Sequence, residues 1–427
     1  MGQSASTSLS LVGNTQSLLA TYAGGLEPII REQFKDLTKD FLSQDAEEII
    51  VRVAQRGPPE ADLYPHDTTK TDYSYNYMPS SWWASGFFPG SLWLLYERSL
   101  KTPTSLSTQS LSSDDILVLA LEWQKGMENQ RHNTGTHDLG FMMMPSFYSD
   151  YALTGNEASR DIILDAAQSL SSRWSETVGC LRSWDSMTSP WWDFSDKSKN
   201  FLVIIDNMMN LDLLYRATEI SGDPEFGRRA TKHAKMTLQH HIRPDDSTFH
   251  LVNYDPADGS VQGRYTVQGY TDNSTWSRGQ AWALYGYATA YRFTNDTTFL
   301  NASERLAKYF VERVQELDGD SGLVRWDFDD PRPDIVRDES AAMVACAGIL
   351  ELYELTGNQQ LLQAVVEMTR YAISSARSPP DSDTILRGAT VNNNPDNPNP
   401  DFETGLVYAD YYFLQIGNKL LDLELNA

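Results

Sequence analysis

The sequence predicts an all-α fold, an (α/α)6 barrel of six helix pairs with a minor β-hairpin in a long loop. Three observations predict it: apolar residues recur at helical spacing in twelve segments, a helix-turn-helix motif repeats along the chain, and short connections alternate with long ones. The predicted helices are 27–55, 84–99, 114–129, 138–154, 159–175, 203–221, 224–241, 276–294, 298–316, 338–356, 359–377 and 406–423. The hairpin is predicted around DPADG, within 249–265.

A degenerate repeat supports the pairing of helices. Its copies are YALTGNE at Tyr151, YRATEISGDPEF at Tyr215, YRFTNDTTFL at Tyr291 and YELTGNQQLL at Tyr353. Each copy contains the end of one helix, a Gly or Asn cap, a tight turn and the start of the next helix. Repeats of this length indicate stacked units, which form either a closed ring or an open α-solenoid. We expect a flexible tail over 1–25 and one barrel-shaped catalytic domain over 26–427.

The two helices of each pair differ in character, which favours the closed ring. The odd helices carry frequent charges, as in RRATKHAKMTLQHH (228–241), whereas the even helices are apolar on most faces, as in AWALYGYATAYRF (281–293). The long loops all precede even helices: 56–83, 176–202, 242–275, 317–337 and 378–405. In an alternating barrel these loops meet the first turns of the inner helices at one end, and long loops in compact domains are usually functional.

Charge and composition exclude several classes of protein. A formal net charge of −24 argues against general affinity for nucleic acid or for an anionic membrane surface. No apolar run reaches about 18 residues, so we expect no transmembrane helix. The first 25 residues contain no basic region followed by an apolar core, so we expect no signal peptide and a cytoplasmic location. Two isolated cysteines, Cys180 and Cys346, provide neither a disulfide framework nor a zinc site, and we expect no metal and no cofactor.

Two carboxylates stand out near the predicted starts of even helices. Asp206 lies inside the apolar run IIDNMMN, one helical turn before Asn210, and Asp138 lies in THDLGF. Each could be a helix N-cap, which is a common role for Asp, or a catalytic acid. Two Asp residues at the same barrel end favour catalysis, because like charge and desolvation raise one pKa and give an acid beside a carboxylate.

Aromatic and basic residues crowd the same long loops. The tryptophans there are Trp82, Trp83, Trp191, Trp192, Trp276 and Trp282. Each alone could be a core residue, whereas together they indicate a cleft that stacks on sugar rings. Arg278 could form a structural salt bridge or a fork for a substrate carboxylate. His137 and His250 could be hydrogen-bond donors to substrate or satisfied buried imidazoles.

Five sequence blocks carry a family resemblance over roughly residues 80–425. They are WWASGFFPGSLWLLYE, HDLGFMMMPSF, IIDNMMNLDLL, QGYTDNSTWSRGQAWALYGYA and DESAAMVACAGILEL. In this order they resemble glycoside hydrolase family 88, the unsaturated glucuronyl hydrolases. The resemblance implies an (α/α)6 barrel and the release of a terminal 4,5-unsaturated glucuronic acid from lyase-generated oligosaccharides, by hydration of the C4=C5 vinyl ether. It implies Asp206 as the acid/base and Asp138 as the second catalytic carboxylate.

The resemblance also implies a substrate pocket. Its expected residues are Trp83 or its neighbour Trp82, His137, Trp191 or its neighbour Trp192, His250, Gln268, Trp276, Arg278, Trp282 and Tyr411. Val267 departs from the family pattern, in which a His precedes Gln268. The loop 389–403 lacks the Ser and Lys residues associated with sulfate recognition, and its nearby cation is Arg387. We therefore expect a preference for unsulfated substrates.

Two other functions remain open at this point. The unsaturated rhamnogalacturonyl hydrolases of family 105 share the barrel and the reaction but act on pectin fragments, and the WSRGQAW block favours family 88 over them. A non-catalytic helical-repeat scaffold would have polar, featureless loops, which the crowding of Trp, Asp and Arg argues against. The expected partner is a small oligosaccharide that ends in an unsaturated uronic acid, with the protein a monomer or a weak homodimer.

Overall fold

The computed structural model describes residues 25–41, 44–58, 60, 62–102 and 111–425. The tail predicted for 1–25 falls almost entirely outside these residues. The helices are α1 (Pro28–Phe41), α2 (Gln44–Arg56), α3 (Phe87–Lys101), α4 (Ser113–Lys125), α5 (Leu139–Met143), α6 (Ser149–Thr154), α7 (Glu157–Ser171), α8 (Asn207–Ser221), α9 (Pro224–His240), α10 (Ser277–Thr294), α11 (Thr297–Asp318), α12 (Glu339–Thr356), α13 (Leu362–Ser375) and α14 (Val407–Leu425).

Six helical units form a closed inner ring. In order around the ring they are α3, α5 with α6, α8, α10, α12 and α14, and α14 packs back against α3. The outer layer consists of α1, α4, α7, α9, α11 and α13, each packed against the inner ring. Closure confirms the (α/α)6 barrel and excludes the open solenoid, in which the first and last units do not touch.

Helix pairs are joined as the repeats predict. Gly155, Gly222 and Gly357 end inner helices in the left-handed conformation, with φ of 75°, 75° and 71°. Asn295 occupies the equivalent place after α10 with φ of 53°. An Asx residue then caps the next helix at three of the four turns, as Asp223 does by accepting from the amide of Glu225. Because these turns after the inner helices are short, the long loops lie at the opposite end of the barrel.

Two predicted helices are each divided in the structure. Segment 27–55 forms α1, which packs on α13 and α14, and α2, which packs on α3 and α4. Because the two parts bury their apolar faces against different neighbours, one straight helix could not serve both. Segment 138–154 contains a π-helical turn at Met144–Tyr148 between α5 and α6. Pro145 lies in that turn, and because proline has no backbone N–H it interrupts the regular α-helical hydrogen bonds.

The predicted hairpin is confirmed, and a further strand joins it. The strands are β1 (Leu63–Thr68), β2 (Tyr75–Pro79), β3 (Trp174–Ser175), β4 (Cys180–Leu181), β5 (Phe201–Ile204), β6 (Leu251–Tyr254), β7 (Val261–Tyr265), β8 (Ala389–Asn392) and β9 (Asp401–Thr404). The hairpin β6–β7 pairs antiparallel with β5, so the helix predicted from 203 begins instead at Asn207. All four residues of β5 are buried, which explains why a continuous apolar run read as helix.

Candidate active site

Four inner helices begin directly after an Asp or a Trp residue. Asp138, Asp206, Trp276 and Asp338 are the N-cap residues of α5, α8, α10 and α12. Since the inner helices start at the same barrel end, the structure brings these four positions together with the long loops, as predicted.

Neither Asp138 nor Asp206 caps its own helix. Asp138 accepts a hydrogen bond of 2.6 Å from the Thr136 hydroxyl and makes no side-chain cap, and the Asp206 side chain makes none either. Asp338 shows what capping looks like here, because its carboxylate accepts from the Ser340 amide at 3.1 Å. The capping alternative is therefore wrong for both Asp138 and Asp206, and their carboxylates are available for other contacts.

Asp206 sits in surroundings that favour its protonated form. Its side chain is 13% exposed, and Oδ2 has no hydrogen-bond partner among the described residues. Burial raises the pKa of Asp206 to about 7, with the negative charge of Asp138 adding to the rise and the Arg278 guanidinium opposing it. At neutral pH a large fraction of Asp206 is thus a carboxylic acid that can donate a proton.

His250 faces Asp206 as a neutral imidazole. Its Nδ1 accepts a hydrogen bond of 3.1 Å from the Val267 amide, so the ring proton lies on Nε2, 3.7 Å from Asp206 Oδ2. Burial, with the Arg278 charge acting in the same direction, lowers the pKa of His250 to about 3. The departure at Val267 leaves this contact intact, because it is made by the backbone amide and not by the side chain.

His137 is buried beside the second carboxylate. Its Nε2 lies 3.3 Å from Asp138 Oδ1, and neither ring nitrogen has a hydrogen-bond partner among the described residues. Burial lowers the pKa of His137. The structure therefore joins His137 to Asp138 and His250 to Asp206, one imidazole to each carboxylate.

Arg278 is held by acceptors of this chain. Its guanidinium donates to Asp338 Oδ2 at 2.6 Å, to the carbonyl of Thr390, and to the carbonyl of Val391 at 2.8 Å. It also lies 4.7 Å from the ring centroid of Trp276. These contacts are those of the structural salt bridge, and the fork for a substrate carboxylate stays a prediction. Its charge still reaches the site, since it lowers the pKa of Asp206.

The adjacent tryptophans take different roles. Trp83 packs against Phe87, Phe141 and Tyr408, whereas Trp82 is 37% exposed and donates through Nε1 to Nδ1 of the buried His66 at 3.2 Å. Of the two, Trp82 therefore offers the larger free surface at the mouth of the site.

The second pair divides in the same way. Trp191 is 78% exposed and donates to Asp396 at 2.8 Å, which joins two long loops. Trp192 is stacked on Phe194 with centroids 4.5 Å apart. Trp191 is thus the member with a free ring face, and its place in the substrate pocket stays a prediction.

The other two tryptophans have little or no exposed surface. Trp276 packs 4.8 Å from the His250 ring, and its indole N–H has no partner among the described residues. Trp282 is fully buried against Phe141 and Tyr412 in the barrel core. The structure brings Trp276 to His250 but gives Trp282 no free surface, so a substrate contact for Trp282 stays a prediction.

Gln268 and the loop 389–403 are tied to one another. Gln268 donates to the Val391 carbonyl at 3.1 Å, and Asn392 donates to the Val267 carbonyl at 3.0 Å. These bonds fix β8 and the following loop beside His250. Gln268 thus lies at the site, with its amide nitrogen engaged by this chain.

Tyr411 does not join the other site residues. It lines a cavity of about 580 Å³ between the inner helices, together with Glu97, Asp212 and Lys419. One turn earlier on α14, Tyr408 is fully buried with its ring 5.5 Å from the Arg278 guanidinium, and its hydroxyl has no partner among the described residues. Tyr408 is therefore the α14 tyrosine that lies beside Arg278, and a substrate contact for Tyr411, one turn further along the same helix, stays a prediction.

Sequence reasoning missed several polar groups at this end. The predicted site included neither Tyr408 nor Trp184, yet Trp184 packs 5.8 Å from His250. Glu339, the first residue of α12, is buried with neither carboxylate oxygen partnered among the described residues, and burial raises its pKa to about 8. The available signal was an ionisable residue two positions before the apolar run AAMVACAGIL.

Several of the buried polar atoms without hydrogen-bond partners among the described residues lie near the two carboxylates. They belong to His137, Asp206, Asn207, His250, Trp276 and Tyr408. Because unpaired buried polar groups are rare in folded proteins, such a cluster is typical of a site that hydrogen-bonds a polar ligand. Over the described ranges, no three His, Cys, Asp or Glu side chains are placed to hold a metal ion. None of the helices described combines the length and apolarity of a membrane span.

Comparison with known proteins agrees with this geometry. No protein-family model matches the chain. An unsaturated glucuronyl hydrolase from Formosa agariphila is 38% identical over 373 residues, which cover 86% of this chain and 87% of that protein. A crystal structure of an unsaturated glucuronyl hydrolase specific for heparin is 30% identical, with a TM-score of 0.77 and coverage of 92% of this chain and 98% of that one. A third relative, solved with dGlcA-Glc-Rha-Glc, is 27% identical, with a TM-score of 0.76 and coverage of 88% and 95%.

These similarities confirm the resemblance seen in the sequence blocks and exclude the non-catalytic scaffold. They extend over 86% and 92% of the chain. The chain belongs to the unsaturated glucuronyl hydrolase family of glycosidases.

Proposed function

We propose that this chain releases the terminal 4,5-unsaturated glucuronic acid from lyase-generated oligosaccharides, with Asp206 as the general acid and base. The observation that carries the proposal is the freedom of both carboxylates from helix capping, together with the pKa of Asp206 near 7. A general acid works best when its pKa lies close to the working pH.

The ring closure of α14 on α3 and the packing of α1 on α14 further support a single catalytic domain over 26–427.

The reaction we propose is hydration of the C4=C5 double bond. Asp206 donates its proton to C4, and a water molecule adds to C5 while its proton returns to the Asp206 carboxylate. The product is a hemiketal at C5, whose ring opens by cleavage of the C5–O5 bond to leave a ketone at C5 and a hemiacetal at C1. The hemiacetal then collapses to an aldehyde and releases the rest of the oligosaccharide as an alcohol. Positive charge develops at C5 as C4 is protonated, and the nearby negative charge of Asp138 stabilises it. His250 presents its Nε2–H toward Asp206 and can stabilise the carboxylate once the proton has left.

An anionic substrate needs a local positive potential, since the chain carries a formal net charge of −24. Arg278 supplies one, because its buried guanidinium lowers the pKa values of both Asp206 and His250. Its bonds to Asp338 and to the carbonyls of Thr390 and Val391 hold that charge in place. We propose that it attracts the uronic acid carboxylate through its field.

The preference for unsulfated substrates is the finer part of the proposal. Loop 389–403 contains no Lys or Arg, and burial raises the pKa of Asp401 to about 6, with the Asp67 charge adding to the rise. The nearby cation expected from sequence was Arg387, but Lys70 also belongs there, with Nζ 3.9 Å from the Phe402 ring centroid. The carboxylates of Asp67 and Asp401 outnumber the single charge of Lys70. This part of the pocket wall is therefore negative, which disfavours a sulfate.

The test compares specificity constants for the unsulfated and 6-sulfated unsaturated chondroitin disaccharides in one buffer. We expect at least about a tenfold preference for the unsulfated sugar, about 1.4 kcal/mol. Lys70→Met should lower kcat/KM for the sulfated sugar alone if the sulfate reaches this wall. Equal constants would mean that the sulfate points into solvent, and a preference for the sulfated sugar would contradict the proposal.

The same assay separates this activity from the pectin alternative. Loss of ultraviolet absorbance, which follows the loss of the conjugated double bond, can be measured across unsaturated disaccharides from chondroitin, hyaluronan, heparin, gellan, ulvan and pectin. We expect the unsaturated glucuronyl substrates to react and the unsaturated rhamnogalacturonan disaccharide to react poorly. The reverse order would place the chain with the pectin-directed enzymes.

A further inference from the structure

The first turn of α5 is capped by a residue of another helix. The first backbone N–H groups of any helix lack acceptors within the helix, and an Asp at the N-cap position usually accepts from one of them. Asp138 occupies that position but makes no such bond. Instead Asn210 of α8 accepts through Oδ1 from the Phe141 amide at 3.0 Å.

Close contact between the two helices makes this arrangement specific. Asn210 is fully buried, and Gly140 lies against it. A Cβ added at Gly140 would lie 2.5 Å from Asn210 Cα and 2.6 Å from its Oδ1. Asn210 lies one turn after Asp206, and Gly140 two residues after Asp138. The contact therefore fixes the two carboxylate-bearing turns against each other.

We propose that Asn210 is a positioning residue for the reaction. It caps α5 in place of Asp138, and so leaves the Asp138 carboxylate free to accept from Thr136 and to act on Asp206. This inference rests on the roles proposed for Asp138 and Asp206. A capping bond at a helix start would otherwise compete for the Asp138 carboxylate, since the positive end of the helix dipole attracts it.

Loss of Asn210 has a defined consequence. The buried Phe141 amide would then lack an acceptor, and the Asp138 side chain, three residues earlier, is where an N-cap normally supplies one. When Asp138 turns to cap α5, its charge moves away from Asp206. The pKa of Asp206 should fall, because the Asp138 charge is one of the causes that raise it.

Kinetics of Asn210→Ala test the proposal. We expect kcat to fall by about tenfold to a hundredfold with KM changed by less than about threefold, as for a misplaced catalytic group. The alkaline limb of the pH profile should move to lower pH. Asn210→Leu removes the acceptor but keeps the branched shape of the side chain, and it should behave in the same way if Asn210→Ala fails to fold.

Asn418→Ala is the matched control. Asn418 is also a buried asparagine on an inner helix, α14, and accepts from Arg98 at 2.9 Å while donating to the Leu94 carbonyl at 3.0 Å. Its loss should lower Tm and leave the pH profile in place. An unchanged pH profile in both Asn210 variants, with only a lower Tm, would overturn the positioning role.

A second measurement does not depend on activity. Asp138→Ala is made in the wild-type chain and in Asn210→Ala, and Tm is measured for all four proteins. If Asp138 caps α5 once Asn210 is gone, Asp138→Ala lowers Tm more in the Asn210→Ala background than in wild type. An equal decrease in Tm in both backgrounds would show that Asp138 does not replace Asn210 as the cap. Retained activity in Asp138→Asn and Asp206→Asn would instead overturn the proposed function, and this comparison of Tm values would still stand.

Discussion

Nε2 of His250 lies 3.7 Å from Oδ2 of Asp206, and the Val267 amide fixes the proton of the ring on that nitrogen. A neutral imidazole thus directs an N–H group at the carboxyl group that we assign to proton transfer. Strand pairing creates this relationship, because β5 and β6 run side by side and the Ile205 amide donates to the His250 carbonyl at 2.9 Å.

His250→Ala should slow the reaction and shift its pH dependence. Removing a donor that favours the carboxylate raises the pKa of Asp206, so the alkaline limb of kcat/KM should move to higher pH. We expect kcat to fall by about tenfold to a hundredfold. His240→Ala is the control, since His240 contacts the Tyr254 hydroxyl at 3.0 Å away from the two carboxylates. Equal pH profiles for His250→Ala and wild type would refute a contact between His250 and Asp206.

The pH profile should be a bell on the acidic side of neutral. Asp206 must be protonated to donate, so activity should fall as pH rises through its pKa of about 7. The charge of Asp138 raises that pKa, so Asp138→Asn should lower it and move the alkaline limb to more acidic pH. The measurement is kcat/KM against pH for both proteins. A lower rate with an unmoved limb would show that the two carboxylates do not interact.

Glu339→Gln should make stability less sensitive to alkali. Burial raises the pKa of Glu339 from its ordinary 4.5 to about 8, so its contribution to stability is complete below about pH 4.5 and is lost as pH rises through about 8. The amide keeps the shape and cannot ionise. Between about pH 5 and about pH 9, Tm should therefore fall less in the variant than in wild type.

Glu312→Gln provides the comparison for that experiment. Glu312 is an exposed carboxylate on α11, 3.6 Å from Lys308, so its replacement should leave the wild-type slope unchanged. If Tm falls with pH equally in Glu339→Gln and Glu312→Gln, then Glu339 is not protonated in the folded protein.

The sequence was sufficient for the architecture because the signals were local. The turns at Gly155, Gly222, Asn295 and Gly357 combine a left-handed cap with a helix start, and both can be read from adjacent residues. Strand β5 was not predictable in this way. Its run of buried apolar residues is equally compatible with a buried helix, and only its partner β6, about 50 residues later, decides between them.

The site was predictable in position but not in detail. Convergence of the long loops placed Asp138 and Asp206 at one end correctly. Whether Asp138 caps its helix depends on Asn210, a residue distant in sequence that takes the Phe141 amide. Which of Tyr408 and Tyr411 lies beside Arg278 depends on where α14 begins, because the two residues are one turn apart. Such pairwise geometry is absent from a single sequence.

Turnover of Asp206→Asn tests the central claim most directly. The assay follows loss of ultraviolet absorbance from the unsulfated unsaturated chondroitin disaccharide, and Tm and circular dichroism confirm that the variant is folded. Asp212→Asn is the control on the same helix, because Asp212 lines the cavity with Tyr411 instead of facing His250. We expect Asp206→Asn to lower kcat by on the order of 10²- to 10⁴-fold, because an amide can neither donate the proton nor recover it, and Asp212→Asn to change kcat by less than about threefold. Turnover near the wild-type rate in folded Asp206→Asn would contradict the assignment of Asp206 as the acid and base.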